Sequence, residues 1–284
     1  MNFTKMHGLG NSYIYIDGCN EPIPDESELP TLAIRVSNPY TGIGSDGLIL
    51  ILPSEVADVR MRVFNNDGSE AKNCGNGLRC VSKYVYEHQY VKKEKFSIET
   101  LGGVVEAEVH LADDLESVSE VTVDMGAPQF ERQYIPMLGR PDAKVIDSNE
   151  NIEGVDYTLT AVSMGNPHAV LFVEDVVQAP VHSLGPVIEK AGLFPEGTNV
   201  EFIAPLSTNE IDFAVWERGS GVTQACGTGA CAAVVAAILN GKSSKDESVV
   251  VHLPGGDLTI KWSSKDSHVW MRGPAVTICE GVLY

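Results

Sequence analysis

Residues 59–77 read Val59-Arg60-Met61-Arg62-Val63-Phe64-Asn65-Asn66-Asp67-Gly68-Ser69-Glu70-Ala71-Lys72-Asn73-Cys74-Gly75-Asn76-Gly77. Residues 211–229 read Ile211-Asp212-Phe213-Ala214-Val215-Trp216-Glu217-Arg218-Gly219-Ser220-Gly221-Val222-Thr223-Gln224-Ala225-Cys226-Gly227-Thr228-Gly229. Each begins as a β-rich run ending in an aromatic, passes through a Gly-containing turn, and reaches Cys-Gly-x-Gly. Cys226 follows Cys74 by 226 − 74 = 152 residues, and Trp216 follows Phe64 by the same interval. Upstream, Gly10-Asn11 before Tyr13-Ile14-Tyr15-Ile16 is answered by Gly165-Asn166 before Ala169-Val170-Leu171-Phe172-Val173. Downstream, Gly102-Gly103 answers Gly255-Gly256, and Gly126-Ala127-Pro128 answers Gly273-Pro274-Ala275. Turn dipeptides recur freely, but matches in one order at nearly one spacing point to a duplicated unit. The expectation is two similar domains related by an approximate two-fold axis. They are residues 1–128, joined by the C-terminal tail 275–284, and residues 129–274.

Each half reads mostly as strand. Runs at 59–64, 104–109, 121–125, 159–162, 170–173, 200–203, 211–216, 249–253 and 258–262 are rich in β-branched and aromatic residues and bounded by Gly, Pro and Asp. A helix from Gly227 to Asn240 is Ala-rich and apolar nearly all round, so it belongs inside its strands, with Gly241 as its stop. Its partner, Asn76 to Gln89, is more mixed, and shorter helices fit Leu29–Val36 and Val181–Ala191. Strands do not alternate regularly with helices, which disfavours a doubly wound parallel sheet. The predicted class is α+β: two homologous domains, each a curved, mostly antiparallel sheet around a central helix, with the site in the cleft between them.

Composition narrows the function. The 284 residues are 43% apolar and carry 20 cations against 39 anions, a formal charge of −19. That excess repels nucleic-acid phosphates and anionic membranes, so neither is an expected partner. The longest apolar run, Ala230 to Leu239, is half of a membrane span, and the N-terminus has no signal-like run. The expected compartment is the cytoplasm, where the six cysteines stay reduced.

Cys74 and Cys226 each stand before a Gly-x-Gly that opens a helix. The unpaired N–H groups and positive dipole end there draw a thiol from about 8.5 toward about 3.5–7.5. They also hold an anion such as a carboxylate. Gly75, Gly77, Gly227 and Gly229 let a ligand approach the backbone. Across a two-fold axis the thiols face a substrate from opposite sides, as inversion of a carbon centre requires: one group removes the proton and its equivalent supplies one to the other face. Cys19, Cys80, Cys231 and Cys279 read as small packed hydrophobes. The six- and five-residue spacings of Cys74/Cys80 and Cys226/Cys231 do not suit zinc. No metal is expected.

The halves differ where Asn65-Asn66 meets Glu217-Arg218. Arg218 suits a second carboxylate beyond the reaction centre, and a surface ion pair explains it equally well. Asn11 and Asn166 are repeat-equivalent, which turns both toward the cleft. Gly42-Ile43-Gly44-Ser45-Asp46-Gly47 matches the dinucleotide fingerprint, but the strand-like Leu48–Leu52 follows it in place of a helix. We reject that reading.

The motifs taken together, Lys5-Met6-His7-Gly8-Leu9-Gly10-Asn11, Asn73-Cys74-Gly75-Asn76-Gly77-Leu78-Arg79-Cys80, Met164-Gly165-Asn166-Pro167-His168 and Glu217-Arg218-Gly219 through Gly229, resemble the diaminopimelate epimerases nearly end to end. The resemblance implies interconversion of LL- and meso-diaminopimelate, in lysine and peptidoglycan precursor synthesis, without pyridoxal phosphate or metal. It implies Cys74 and Cys226 as the acid/base pair, and Gly75, Asn76, Gly227 and Thr228 as holders of the reacting carboxylate. Asn11, Asn65, Asn166, Asn199 and Arg218 would read the substrate, with Glu217 and His168 near the reacting amine. A homodimer is also implied. Many members carry Gln where this chain has Gly47, so any contact from that side chain is absent or replaced here. Three alternatives stay open: a proline- or hydroxyproline-type racemase, a thiol switch, and a pyridoxal-phosphate racemase for which no lysine is singled out.

Overall fold

The computed structural model describes all 284 residues, Met1 to Tyr284. They divide into two units, Met1–Asp124 with Arg272–Tyr284, and Met125–Met271.

The first unit runs β1 (Asn2–Gly8), β2 (Asn11–Asp17), α1 (Leu29–Ser37), β3 (Gly47–Leu52) and β4 (Val59–Asn65). It continues through β5 (Glu70–Ala71), α2 (Gly75–Glu87), β6 (Lys95–Thr100), β7 (Gly103–Leu111) and β8 (Val118–Asp124). In the second unit β9 (Ser148–Ile152) precedes β10 (Val155–Ser163), β11 (Pro167–Phe172), α3 (Val181–Glu189), β12 (Asn199–Ser207) and β13 (Glu210–Glu217). Then come β14 (Gly221–Val222), α4 (Gly227–Leu239), β15 (Ser248–Leu253) and β16 (Gly256–Trp262). The chain returns to the first unit along β17 (Val269–Pro274) and ends in β18 (Val276–Val282), which pairs antiparallel with β1. The order β1 to β8 with α1 and α2 recurs as β10 to β17 with α3 and α4: two repeated domains in a sheet-dominated α+β fold.

The sheets are more mixed than the predicted largely antiparallel ones. The pairs β1–β2, β3–β4 and β6–β7 are antiparallel, as are β10–β11, β12–β13 and β15–β16. The pairs β2–β3, β4–β6, β11–β12 and β13–β15 are parallel. Parallel neighbours need a long crossover, and each of the four helices lies in one of them. Helices and strands thus alternate locally inside each repeat, which the irregular spacing of the apolar runs concealed.

Helix α4 is buried as its composition predicts: Ala230 through Ala237 are all at 0% exposure. Small side chains let the surrounding strands close on every face of it. Helix α1 buries Leu29, Leu32, Ala33 and Val36 against Ile14, Ile16, Leu48, Leu50 and Phe64. Strand β9, Ser148-Asn149-Glu150-Asn151-Ile152, has too little apolar content to read as strand. It forms through a hairpin whose turn residues, Glu153 and Gly154, both have positive φ (52° and 85°).

Candidate functional site

In the first unit, Cys74 is the N-cap of α2, with extended backbone (φ −150°, ψ 106°). Its Sγ accepts the Gly77 N–H at 3.3 Å and lies 3.7 Å from the Tyr13 hydroxyl. Asn76, on the helix's first turn, donates through Nδ2 to Asn11 Oδ1 at 3.0 Å. Asn11 in turn donates to Asp46 Oδ2 at 2.8 Å, an oxygen that also takes the Ser12 N–H at 2.7 Å. The glycine-rich loop before β3 therefore serves to place Asp46 behind Asn11, and the strand that follows it excludes a phosphate-binding helix. At Gly47 a Cβ would lie 2.1 Å from the Phe64 carbonyl oxygen, so no side chain fits this backbone.

The second unit repeats the design. Cys226 caps α4 in extended conformation (φ −122°, ψ 100°) and is 4% exposed. Its Sγ lies 3.7 Å from the Thr228 hydroxyl, which accepts from Asn166 Nδ2 at 3.2 Å. Thr228 and Asn166 are the repeat counterparts of Asn76 and Asn11, so the same cross-link ties each helix start to the strand hairpin beside it. His168 stands where the first unit has Tyr13. Both its ring nitrogens are engaged, Nδ1 with Glu201 Oε1 at 2.6 Å and Nε2 with Asn166 Oδ1 at 2.9 Å. Glu217 accepts a hydrogen bond from the Thr223 hydroxyl.

Three expectations need correction. The thiols are not acidified. Burial pushes Cys74 up against the opposing Gly77 N–H, Tyr13 hydroxyl and Arg79 guanidinium. Burial pushes Cys226 well up, and the Glu217 and Glu201 carboxylates add to it. A helix terminus is worth about 0.3–1 kcal/mol to an anion, and roughly 2 in a partly buried geometry. Removing an unpaired ion from water costs several kcal/mol, so burial wins.

The second correction concerns the glycines. A Cβ on Gly77 would sit 2.6 Å from Ile49 Cδ1, and one on Gly229 would sit 2.9 Å from Glu201 Oε1 and 3.0 Å from Cys226 Sγ. These glycines make room for the protein's own atoms beneath the sulfur, not for a ligand. Third, the cysteines outside the pair are not all packed. Cys80 and Cys231 are buried, Cys19 is half-buried, and Cys279 is exposed on β18.

Contacts gather Asn11, Asn76 and Cys74 in one unit, and Asn166, His168, Thr228 and Cys226 in the other. Glu217 joins the second group through its field on Cys226. Asn65 stands apart, donating to Ser69 Oγ at 3.0 Å. Asn199 is 4% exposed; its Nδ2 donates to the Pro167 carbonyl at 3.1 Å, and its Oδ1 accepts the Arg218 backbone N–H at 2.9 Å. It shapes the turn that carries Arg218. The exposed Arg218 guanidinium donates to the Glu196 carbonyl oxygen at 2.9 Å, so a backbone group and not a carboxylate holds it. Tyr13 and Glu201 escaped the sequence reading. Setting His168 against Tyr13 and Glu201 against Ile49 in the repeat alignment is the signal that finds them.

The family profile described as "Diaminopimelate epimerase" matches residues 3–131 and 160–278. A diaminopimelate epimerase of Bacillus pumilus is 60% identical over 284 residues, covering 99% of this chain and 98% of that protein. One from Geobacillus kaustophilus is 60% identical over 283 residues, covering 100% and 96%. Among solved structures, a phenazine biosynthesis protein of the PhzF family from Bacillus anthracis superposes with a TM-score of 0.70 at 17% identity, covering 100% of this chain and 99% of that one. A hydroxyproline epimerase from Agrobacterium vitis also superposes with a TM-score of 0.70 at 17% identity, covering 99% and 91%. At that identity these two structures share the fold alone. By the profile match along both repeats and the identity along the whole chain, this protein belongs to the diaminopimelate epimerase family.

Proposed function

We propose that the chain interconverts LL- and meso-2,6-diaminopimelate by a two-base proton transfer at one Cα, with Cys74 and Cys226 as the acid/base pair. The observation that carries this is the repeated N-cap: two cysteines, each at the start of a helix, in two copies of one framework. One sulfur, as thiolate, takes the Cα proton. The electron pair left behind spreads onto the neighbouring carboxylate, and the other thiol delivers its proton to the opposite face. The centre is inverted, and thiol and thiolate have exchanged places. Equivalent groups serve because the reverse reaction needs the same roles exchanged. The first-turn N–H groups at Gly75 and Asn76, and at Gly227 and Thr228, supply donors to the carboxylate as its charge grows.

Asn11, Asn65, Asn166 and Arg218 bind the rest of the substrate in this reading. Asn199 acts through the turn it holds, and Glu217 and His168 flank the reacting amine. Neither pyridoxal phosphate nor a metal takes part. A cytoplasmic homodimer completes the proposal; size-exclusion chromatography with light scattering tests the assembly. No helix of the chain is long and apolar enough to cross a membrane.

The test is proton NMR of LL-diaminopimelate in heavy water with the purified enzyme, reductant and no added cofactor. One Cα–H signal per molecule disappears as the meso isomer forms. Persistence of that signal removes the assignment and brings forward the proline-type racemase. Arg218 weighs against that alternative, since a substrate with a single carboxylate at the reaction centre has no use for it.

A further inference from the structure

Glu201 breaks the template from which the two repeats are built. Its counterpart in the first unit is Ile49, and each packs beneath a glycine in the first turn of the capped helix. The place suits an apolar side chain. In the second unit it holds a carboxylate at 0% exposure, whose Oε1 and the Cys226 sulfur would both touch a single methyl group placed on Gly229. Oε2 has no hydrogen-bond partner. Burial raises the acid's pKa while His168 opposes the rise. A buried group this costly, where the sister repeat does without it, belongs to function more than to packing.

What the carboxylate reaches is a chain of hydrogen bonds ending on sulfur. Oε1 meets His168 Nδ1 at 2.6 Å, and Nε2 meets Asn166 Oδ1 at 2.9 Å. Asn166 Nδ2 meets Thr228 Oγ1 at 3.2 Å, and Oγ1 meets Cys226 Sγ at 3.7 Å. The directions follow from what each atom can do. Asn166 spends its amide N–H on Thr228, so its carbonyl oxygen must accept from His168, and Nε2 carries a hydrogen. The proton between Nδ1 and Oε1 can rest on either atom without disturbing this order. Thr228, already accepting from Asn166, has its own hydroxyl hydrogen free for the sulfur.

We propose that Glu201 is a positioning residue: by anchoring His168 it fixes the donor order through Asn166, so that the Thr228 hydroxyl hydrogen points at the Cys226 sulfur. The proposal rests on the reading of Cys226 as one of the acid/base pair. The chain of donors steadies the thiolate whenever Cys226 has given up its proton; at Cys74 the side-chain hydroxyl is that of Tyr13, beside the Gly77 N–H.

Glu201→Met keeps the length and apolar fit of the site and removes the anchor. Its kcat should fall by about tenfold, the factor carried by one well-placed hydrogen bond, while KM for diaminopimelate stays put. Glu201→Gln, which still bonds Nδ1, should recover most of that loss. In a Thr228→Val background, where the chain is cut before the sulfur, Glu201→Met should cost nothing further. Wild-type kcat in Glu201→Met, or losses that multiply in the double variant, would overturn the proposal. Should Glu201→Met fail to fold, nitrogen-15 spectra of histidine-labelled wild-type enzyme decide: His168 Nε2 must carry a hydrogen, and a bare Nε2 reverses the donor order. Turnover that survives Cys226→Ala removes the underlying reading. A dead Cys226→Ala beside an unimpaired Glu201→Met removes the role of Glu201 alone.

Discussion

Tyr13 and His168 hold the same place in the two repeats and meet different partners. The Tyr13 hydroxyl lies 3.7 Å from the Cys74 sulfur, whereas the His168 ring lies between Glu201 and Asn166 and reaches Cys226 only through Thr228. Each repeat carries an N-capped cysteine, and different residues at two equivalent positions make their surroundings unequal. Cys74 has a phenol beside it and the Arg79 guanidinium nearby, and Cys226 has two carboxylates. The proposed chemistry needs alike groups, and the fold supplies alike groups in unlike fields.

Tyr13→Phe tests the first of these surroundings. The hydroxyl pulls Cys74 down, so its removal leaves the thiolate with the backbone N–H groups of Gly77 and Asn76 and the Arg79 charge. The expected result is a kcat lowered by about tenfold to a hundredfold, as for loss of one hydrogen bond to a charged group, with KM unchanged. The profile of kcat against pH should move toward alkaline pH. An unmoved profile would mean that Tyr13 only packs.

The direction in which both thiols are shifted fixes the form of the pH dependence. A raised thiol is protonated through the neutral range, and the base form grows only as pH approaches the raised value. In the free enzyme kcat/KM should therefore climb steadily from neutral pH past the ordinary thiol range near 8.5. The stability effect has the opposite sign. Folded cysteines hold their protons more tightly than unfolded ones, so the contribution is complete below the unfolded thiol's range and lost as pH rises from there through the raised folded value. Cys226→Ala should lose less stability than wild type on going to alkaline pH, read as denaturant midpoints. A plateau in kcat/KM at neutral pH would show that the free enzyme already holds a thiolate.

Much of this was legible in the residues. The spacing of Phe64, Cys74, Trp216 and Cys226 gave the duplication, and the Ala-rich run after Gly227 gave the buried helix. What was hidden depends on long-range pairing. Ser148–Ile152 is strand because a hairpin holds it against Val155–Leu159, and no local propensity announces that. The parallel pairs are set by helical crossovers, which leave little trace in a run of apolar residues. From the helix terminus alone the protonation of the thiols comes out wrong. Burial, which decides it, is a property of the surrounding fold. Glu201 looked like any strand residue until its repeat counterpart, Ile49, showed that the site accepts an apolar one.

Glycine at the third helical position of α2 and of α4 sits close against the residue beneath it. Gly229→Ala would put a methyl group 2.9 Å from Glu201 Oε1 and 3.0 Å from the Cys226 sulfur, so a buried carboxylate or the sulfur must move. A displacement of a reacting atom on the order of 1 Å costs about a hundredfold in rate. The contacts need a shift of only a few tenths of an ångström, so kcat should fall by about tenfold, short of that hundredfold. Gly77→Ala meets the end of the Ile49 side chain at 2.6 Å, with the Cys74 sulfur at 3.4 Å, and should cost less. Equal losses in the two variants would deny that the carboxylate makes the second half the more rigid.

In the proposed function Arg218 distinguishes between substrates. Its backbone N–H is pinned by Asn199, and its guanidinium, held by the Glu196 carbonyl, retains donors for a planar carboxylate. If it binds the distal carboxylate of diaminopimelate, Arg218→Ala removes one partner of a charge pair, a loss of about 2–5 kcal/mol when the pair is buried. That is a fall in kcat/KM of roughly thirtyfold to several thousandfold, with most of it in KM. Arg218→Lys should recover little, because a point charge does not replace the fork. Asn199→Ala, which loosens the turn without touching the guanidinium, should give a smaller loss of the same kind. Kinetic constants unaltered in Arg218→Ala would detach this residue from the substrate and return the surface reading to favour. A fall confined to kcat would place it instead among the groups that act on the reacting centre.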